Sequence, residues 1–533
     1  MKRRTFIKWS GTLFALPALQ ACDLLSGNAN FPITFTGPNA STAHKIRTQE
    51  FPDPQITKEL DTIIVGGGIS GLSAARWLKN AGHTNFNVFE LESAVGGNAR
   101  GGKNKISEYP FAAHYVPIPN NTFTELLHFF EQHQIITGYN EQQLPVYNPY
   151  YICSEPQERL FFRGIWHDGL PPKNGLNTNE WHELQRFLNQ MEQFKLAHGV
   201  DGKPAFTIPL EWSSTDPAYT RFDQMTMQEW LEKESYTQPF THWFIDYCCK
   251  DDFGTPASKT SAWAGLHYFA SRNGKAANCS TFDILAWPEG NHFLTKCLMA
   301  DVAAHIQTQH LTYKIEKEQA HWKVFVWNEA TQQTILYLAK TVIMACPQMV
   351  NKHLLKALMP IDYNYFQYYP WLVANITINK KSELNGSQDL AWDNVSYNSP
   401  SLGYVNATHL SLASNQQETV ITYYYNFSIN SAKEERLTIA SKTPEQWKQF
   451  ILDDLKLIHP TIANNISAIE VNVLGHGMIS PTPGFLSHPA RAQLTKGLPG
   501  LYFAHSDCSG ISIFEQAFYR GIEAAKQVLH YGS

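Results

Sequence analysis

The chain has 533 residues, 43% of them hydrophobic and 17% charged, with a formal net charge of −5. This composition excludes a disordered or collagen-like chain, and the length exceeds what one hydrophobic core organises, so two or more domains are expected. No long basic run suits nucleic acid, and the eight cysteines form no paired C-x-x-C pattern of the kind that holds zinc. In chain order, residues 1–22 read MKRRTFIKWSGTLFALPALQAC. Lys2, Arg3, Arg4 and Lys8 precede a short apolar run from Trp9 to Leu19, broken by Ser10, Gly11, Thr12 and Pro17. A bilayer span needs about 20 apolar residues, so the pattern reads as an export signal instead. Residues 23–57 are polar and rich in Pro, Asn and Thr, and are expected to form a tether.

The next segment, TIIVGGGISGLSAARWL, begins at Thr62. Asp61 to Val65 is a short β-branched run, expected to be a buried parallel strand. Gly66, Gly68 and Gly71 fit G-x-G-x-x-G. The first glycine permits the tight turn, the second lets a pyrophosphate approach the backbone, and the third packs helix on strand. A helix is expected from Ser70 to Asn80, with Leu72, Ala75 and Leu78 on one face, and Ile69 and Ser70 join the glycines as cofactor-binding candidates. The strand FNVFE follows and ends at Glu90, about twenty residues after the glycines, where an acid accepts ribose hydroxyls. Strand, glycines, helix, strand and acid together predict a dinucleotide site.

The cofactor is decided by what comes next. ESAVGGNARGG carries Gly96 and Gly97 shortly after Glu90, and the chain closes on GLPGLYFAHSDCSGISIFEQAFYRGIEAAKQVL. Together these blocks resemble the FAD-dependent amine oxidase superfamily, which includes monoamine and polyamine oxidases, phytoene desaturases and protoporphyrinogen oxidase. The resemblance implies an α/β fold: a discontinuous Rossmann-type FAD-binding domain with an inserted α+β substrate domain. Asn98 takes the place of the family's usual arginine, with Arg100 two residues on. YPFAAHYVP resembles the strand beside the isoalloxazine, covering Ala112 to Val116 and so including Ala113 and His114. A residue near Ile315 is implied to meet the adenine side through its backbone. Asp507 is implied to meet the ribityl and phosphate region, and the helix start at Ile513 and Phe514 to face the flavin N1–C2=O2 edge. SIFE reads as a capping box in which Ser512 caps and Glu515 reaches back. The helix behind it presents Ala517, Gly521 and Ala524 for close packing.

The implied segments are 58–117, 275–350 and 465–533 for the FAD domain. The substrate domain takes 118–274, mostly helical, and 351–464, a sheet plus a helix. The loop LGHGMISPTPGF lacks the cysteine of covalent relatives, so noncovalent FAD is expected. The strand PWLVANITI lacks the lysine usual in amine oxidases, and Asn375 is its only polar amide. Candidate catalytic groups are His114, His476 and Tyr519; the competing reading of each is a satisfied structural residue or a rim group. Cys248 and Cys249 read as core residues, since adjacent cysteines bridge only with strain.

RRTFIK resembles a twin-arginine signal and LQAC a lipobox, which implies export and lipidation at Cys22 on the periplasmic side of the inner membrane. An ordinary cleaved signal with an incidental cysteine is the other reading. The function expected is hydride transfer from an amine, a CH–NH donor and in one form a polyamine, to flavin N5. Oxygen or a respiratory carrier would then accept the electrons. A desaturase or isomerase acting on C–C bonds and a non-catalytic flavin-fold lipoprotein are the alternatives.

Overall fold

The computed structural model describes residues 31–48, 50–412 and 416–531. The signal and lipobox, Cys22 included, lie outside them. Two large sheets organise the chain. In the first, the strands run in the order Ile306–Gln307, Phe86–Phe89, Ile56–Val65, Gln333–Met344, His321–Asn328 and His310–Glu318. Leu501–Phe503 also pairs with Gln333–Met344. The first four strands pair in parallel, as does Leu501–Phe503, while the last two fold back antiparallel. The exposed start and buried end of Ile56–Val65 mark its passage into the core, where Ile63 and Ile64 are fully buried. Ligands of such sheets bind beyond the carboxyl ends of the parallel strands, which is where Gly66 lies.

The second sheet runs Ile33–Thr36, Ile466–Ile479, Tyr368–Ile378, Thr419–Asn426, Tyr404–Asn406, Asp393–Ser396, Glu158–Phe162 and Ile165–Asp168. Its central strands are buried on both faces, which is why they read as continuous runs of β-branched and aromatic residues. Helices from 178 to 270 cover one side and Pro444–Leu455 the other.

Three expectations need correction. The tether over 23–57 is folded across its described part: Ile33–Thr36 adds an edge strand to the second sheet, parallel to Ile466–Ile479. Ile466–Ile479 itself belongs to that second sheet, paired along Tyr368–Ile378, whereas the family resemblance implies 465–533 for the FAD domain. The capping box does not form as expected. The last helix is Phe514–Tyr531, so its cap position falls on Ile513, one residue beyond Ser512. Glu515, only 2% exposed, turns inward instead.

Candidate active site

Each glycine of the turn has a distinct physical reason. Gly66 has φ +107°, and a Cβ there would sit 2.7 Å from the Ala345 carbonyl oxygen. A Cβ on Gly71 would lie 2.0 Å from the Gly66 oxygen, which fixes how closely helix Ile69–Asn80 approaches the strand. A Cβ on Gly68 would meet nothing within 4 Å. The helix has no side-chain cap at Gly68, so the N–H groups of Ile69, Ser70 and Gly71 form an anion-binding end. Gly96 donates its N–H to the Gly67 oxygen at 2.8 Å, bringing Gly96 and Gly97 against Gly68. The Glu90 carboxylate accepts the N–H groups of Gly67 at 2.8 Å and Glu92 at 2.9 Å. Burial raises its pKa. The Arg100 Nε is buried without a protein partner.

Further along, Ala113 donates to the Asn98 oxygen at 3.0 Å, and the Asn98 amide donates to the Gly477 carbonyl. The segment at Ala113 is therefore tied through Asn98 to Ile466–Ile479. Asn375 is committed elsewhere: it donates to the Pro110 carbonyl at 3.1 Å and accepts from Thr422 at 2.8 Å. Asp507 is 1% exposed and accepts the Gln348 N–H at 2.8 Å and the Tyr368 hydroxyl. Burial opposes its ionisation, but His505 beside it and the bonds from Tyr368 and Gln348 hold its carboxyl below the usual range. Its second oxygen lies 3.1 Å from His505 Nδ1. Ile315 pairs opposite Val324, well along its strand; the N–H that reaches the Glu90 carbonyl, at 2.8 Å, is that of His310.

The sequence model of the family described as flavin containing amine oxidoreductase matches residues 69–529. The chain belongs to this family. It is 24% identical over 297 residues to an amine oxidase (flavin-containing) of Oncorhynchus mykiss, covering 55% of this chain and 51% of that protein. It is also 24% identical over 192 residues to an L-amino acid dehydrogenase of Synechocystis sp., 36% of each. These matches span about half or less of the curated relatives' length. Among solved structures, a putrescine oxidase variant superposes with a TM-score of 0.65 at 14% identity, covering 89% of this chain and 100% of that one. Cyclohexylamine oxidase from Brevibacterium oxydans gives 0.64 at 14% identity, covering 89% and 99%. At such identities the likeness concerns the fold.

The family's flavin fits the residues present. Gly68 leaves room for a diphosphate at a helix N-terminus, and the Arg100 Nε is buried without a protein partner. Gly66 to Gly71 with Gly96 and Gly97 would hold the diphosphate, Glu90 a ribose, Asp507 the ribityl chain, and Ile513 with Phe514 the pyrimidine edge. FAD is the cofactor, and the loop near Gly475 offers no cysteine for a covalent bond.

The catalytic candidates part company. His114 lies among aromatic rings, 4.8 Å from Tyr424, 5.2 Å from Tyr115 and 5.5 Å from Trp392. Burial pushes its pKa down to about 4, so the imidazole is neutral. His476 sits on Ile466–Ile479 near Tyr368, and burial, then Arg436 and Arg47, pushes it to about 4 as well. Tyr519 is not brought to either; it packs between Phe123 and Trp212.

Around His114 the structure assembles acids that sequence reasoning missed. Asp393 lies beside Glu158 in the parallel pairing of their strands. Asp251 and Asp252 come from the last turn of Pro239–Phe253, and Asp252 pairs with Arg272 at 2.8 Å. Burial, then the charge of Asp251, raises Glu158 to about 7. Burial, then Asp252, raises Asp251 to about 7. Asp393 is pushed far up by burial and by Glu158, against a bond from Tyr247. Glu515 is raised to about 7 by burial, opposite Arg272. Tyr424 joins the two regions, donating to the Ala112 carbonyl at 2.9 Å while lying near Asp251 and Asp393. One sequence signal was available: two aspartates in a last helical turn oppose the helix dipole, which favours cations there. Cys248 and Cys249 sit in the core of the same helix, their thiols pushed up by burial. Among the described residues, no group of three or more His, Cys, Asp or Glu is arranged to hold a metal ion.

Proposed function

We propose that this chain is an FAD-dependent oxidoreductase that oxidises an amine at its CH–NH bond. The observation that carries the reading is the cluster of Glu158, Asp251, Asp252 and Asp393 with the rings of Tyr247, Tyr424 and Trp392, close to His114. Four carboxyls against one arginine favour a cationic substrate, since buried charges need partners. Tyr247, Tyr424 and Trp392 supply ring faces, which attract ammonium groups. The titratable acids have a second use. Amine oxidation requires the neutral amine, and carboxylates with a pKa near 7 are matched to take up its proton at neutral pH. Bound FAD supplies the two-electron acceptor at N5. An apolar polyene would leave these acids without a partner, which argues against the C–C desaturase reading.

The test is anaerobic. Purified, FAD-loaded protein is mixed with monoamines, polyamines, amino acids and polyenes, and the flavin absorbance is followed. Bleaching by amines supports the proposal. Bleaching by polyenes alone overturns it in favour of a desaturase, and a protein that takes up no FAD overturns both. Oxygen or a respiratory carrier as acceptor is read from whether air restores the colour.

We further propose export by the twin-arginine route with lipid attachment at Cys22, supported by RRTFIK and LQAC. Among the described residues no helix is long and apolar enough to cross a membrane. Cys22→Ser releasing the exported protein from membranes is the expected result; unchanged membrane association would refute the anchor.

A further inference from the structure

The residues from Ile33 to Arg47 lie ahead of the family match at 69–529, yet they are folded onto the molecule. Strand Ile33–Thr36 runs parallel to Ile466–Ile479, and the short helix Ala40–His44 and the turn Lys45–Arg47 follow it. Gly37, at φ +154°, takes the chain off the strand beside Asn472. Ile46 is 6% exposed and belongs to the same core cluster as Val65, Cys346 and Tyr368. Lys45 lies 6.0 Å over the Trp327 ring, and Phe51 stacks on Tyr313 at 4.1 Å. One end of the segment is thus fastened to the second sheet and the other to the first, so it forms a strap between them.

The middle of the strap bonds to the cradle. The Asn39 N–H donates to Glu92 Oε1 at 2.8 Å. The other Glu92 oxygen lies 3.5 Å from the Arg100 guanidinium, whose Nε is buried without a protein partner. The Glu92 N–H donates to the Glu90 carboxylate at 2.9 Å, and the second oxygen of Glu90 takes the Gly67 N–H. Glu92 is therefore a junction between the strap and two groups at the dinucleotide site. A carboxylate accepting a backbone N–H makes one of the stronger hydrogen bonds. Asn39 is itself fixed, because its side chain accepts the Thr42 N–H at 3.2 Å and caps the helix behind it. A second observation comes from the far end of the strap. The charges of Arg47 and His44 bear on His476, together with that of Arg436, and none of the four pairs with a carboxylate among the described residues. Gly477, next to His476, accepts from Asn98, which follows the Gly96–Gly97 turn against Gly68. A cationic strip without acids on this side favours a bound anion.

We propose that residues 33–48 are a retaining strap for the noncovalent FAD, and that Glu92 is the positioning residue through which the strap acts. Held by Asn39, Glu92 keeps Arg100 and Glu90 oriented toward the dinucleotide, which lowers the ordering cost of binding. The coupling is reciprocal: a strap that slows the departure of FAD is itself quieted by bound FAD. The inference rests on FAD as the cofactor and is independent of the substrate.

The test needs no substrate. FAD release is followed by flavin fluorescence after dilution of the FAD-loaded protein, and amide hydrogen exchange is compared with and without FAD. Glu92→Ala should speed release about 10-fold to 100-fold, as loss of a charge-assisted bond does. Glu92→Gln keeps an oxygen for Asn39 but no charge for Arg100, so its release rate should fall between. Ile46→Ala, remote from Glu92 in the strap, should speed release about threefold or more, because a loosened strap opens more often. In the wild type, FAD should slow exchange of the amides from 39 to 47 by about tenfold, with helix Pro444–Leu455, on the far side of the second sheet, unchanged. If FAD binds but leaves strap exchange unaltered, the strap is refuted, whatever Glu92→Ala does to release. If Ile46→Ala lowers the melting temperature while FAD leaves at the wild-type rate, the segment is a structural edge and the proposal falls. If Glu92→Ala releases FAD at the wild-type rate, the positioning role falls. A protein that takes up no FAD would overturn the cofactor assignment and the strap with it.

Discussion

Gly521 of the last helix lies directly on the backbone carbonyl of Ser70: a Cβ at 521 would come within 2.3 Å of that oxygen and 2.9 Å of the Ser73 Cβ. The closing helix is thereby seated on the first turn of the helix that starts at the glycine cradle. Segments remote in sequence meet at the start of the helix that follows the glycine turn. Gly521→Ala should force the two helices apart, at about 1–3 kcal/mol, the usual cost of overpacking. Thermal unfolding should register a lower melting temperature, and the purified protein should carry less flavin.

Gly68 behaves differently. Its φ of −73° and ψ of −176° suit any residue, and its Cβ direction is open. Gly68→Ala should therefore leave the stability of the cofactor-free protein within about 0.5 kcal/mol. It should weaken FAD binding, because the methyl group occupies the space where a diphosphate approaches. Titration of the stripped protein with FAD, beside its melting curve, separates the two effects. A Gly68→Ala protein that binds FAD normally would show that the cradle is not the contact.

The clustered acids set a pH dependence. Glu158 rises from 4.5 to about 7 and Asp251 from 3.8 to about 7 on folding. A carboxyl that holds its proton more tightly when folded stabilises the protonated fold. That contribution is complete below the unfolded value and is lost as pH rises toward about 7. A bound ammonium group should reverse this, since it favours the ionised acids. Calorimetry in buffers of different ionisation heat should show proton release from the protein on amine binding near pH 6 and little near pH 8. Equal release at both would contradict the assignment of these groups. His114 is already neutral above about 4, so His114→Asn should leave a limb near neutral pH in place.

Asp507 has the opposite sign. Its carboxyl is held below the normal 3.8. The stability it contributes is present above that value and disappears as pH falls through the lower folded value. Asp507→Asn should cost about 1–3 kcal/mol at neutral pH, because Tyr368 and the Gln348 N–H lose a charged acceptor. Denaturant melts at neutral pH and in strong acid should show the difference between variant and wild type shrinking in acid.

Tyr519 serves as a control. Its ring packs between Phe123 and Trp212, away from the acids around His114. Tyr519→Phe should change turnover by less than about twofold, the scale of a change outside the reacting groups. A tenfold loss would restore it as a catalytic candidate.

What the sequence determined by itself is local. Gly66, Gly68 and Gly71 could be assigned before folding because their roles depend on backbone freedom and on spacing within one turn. Glu90 followed at a fixed distance along the same strand–helix–strand unit, and Gly96, Gly97 and the closing block from Asp507 carried a family likeness in short runs. The tertiary structure decided everything that needs distant segments to meet. Whether residues 31–36 were tether or strand depended on an open edge at Ile466–Ile479. Whether Glu515 capped its helix or turned inward depended on Arg272 waiting in the core. The acid cluster draws Glu158, Asp251 and Asp393 from a hairpin, a helix end and a short strand, and no spacing rule links them. Their chemistry comes from shared burial, and burial is a property of the packed chain that no single segment carries.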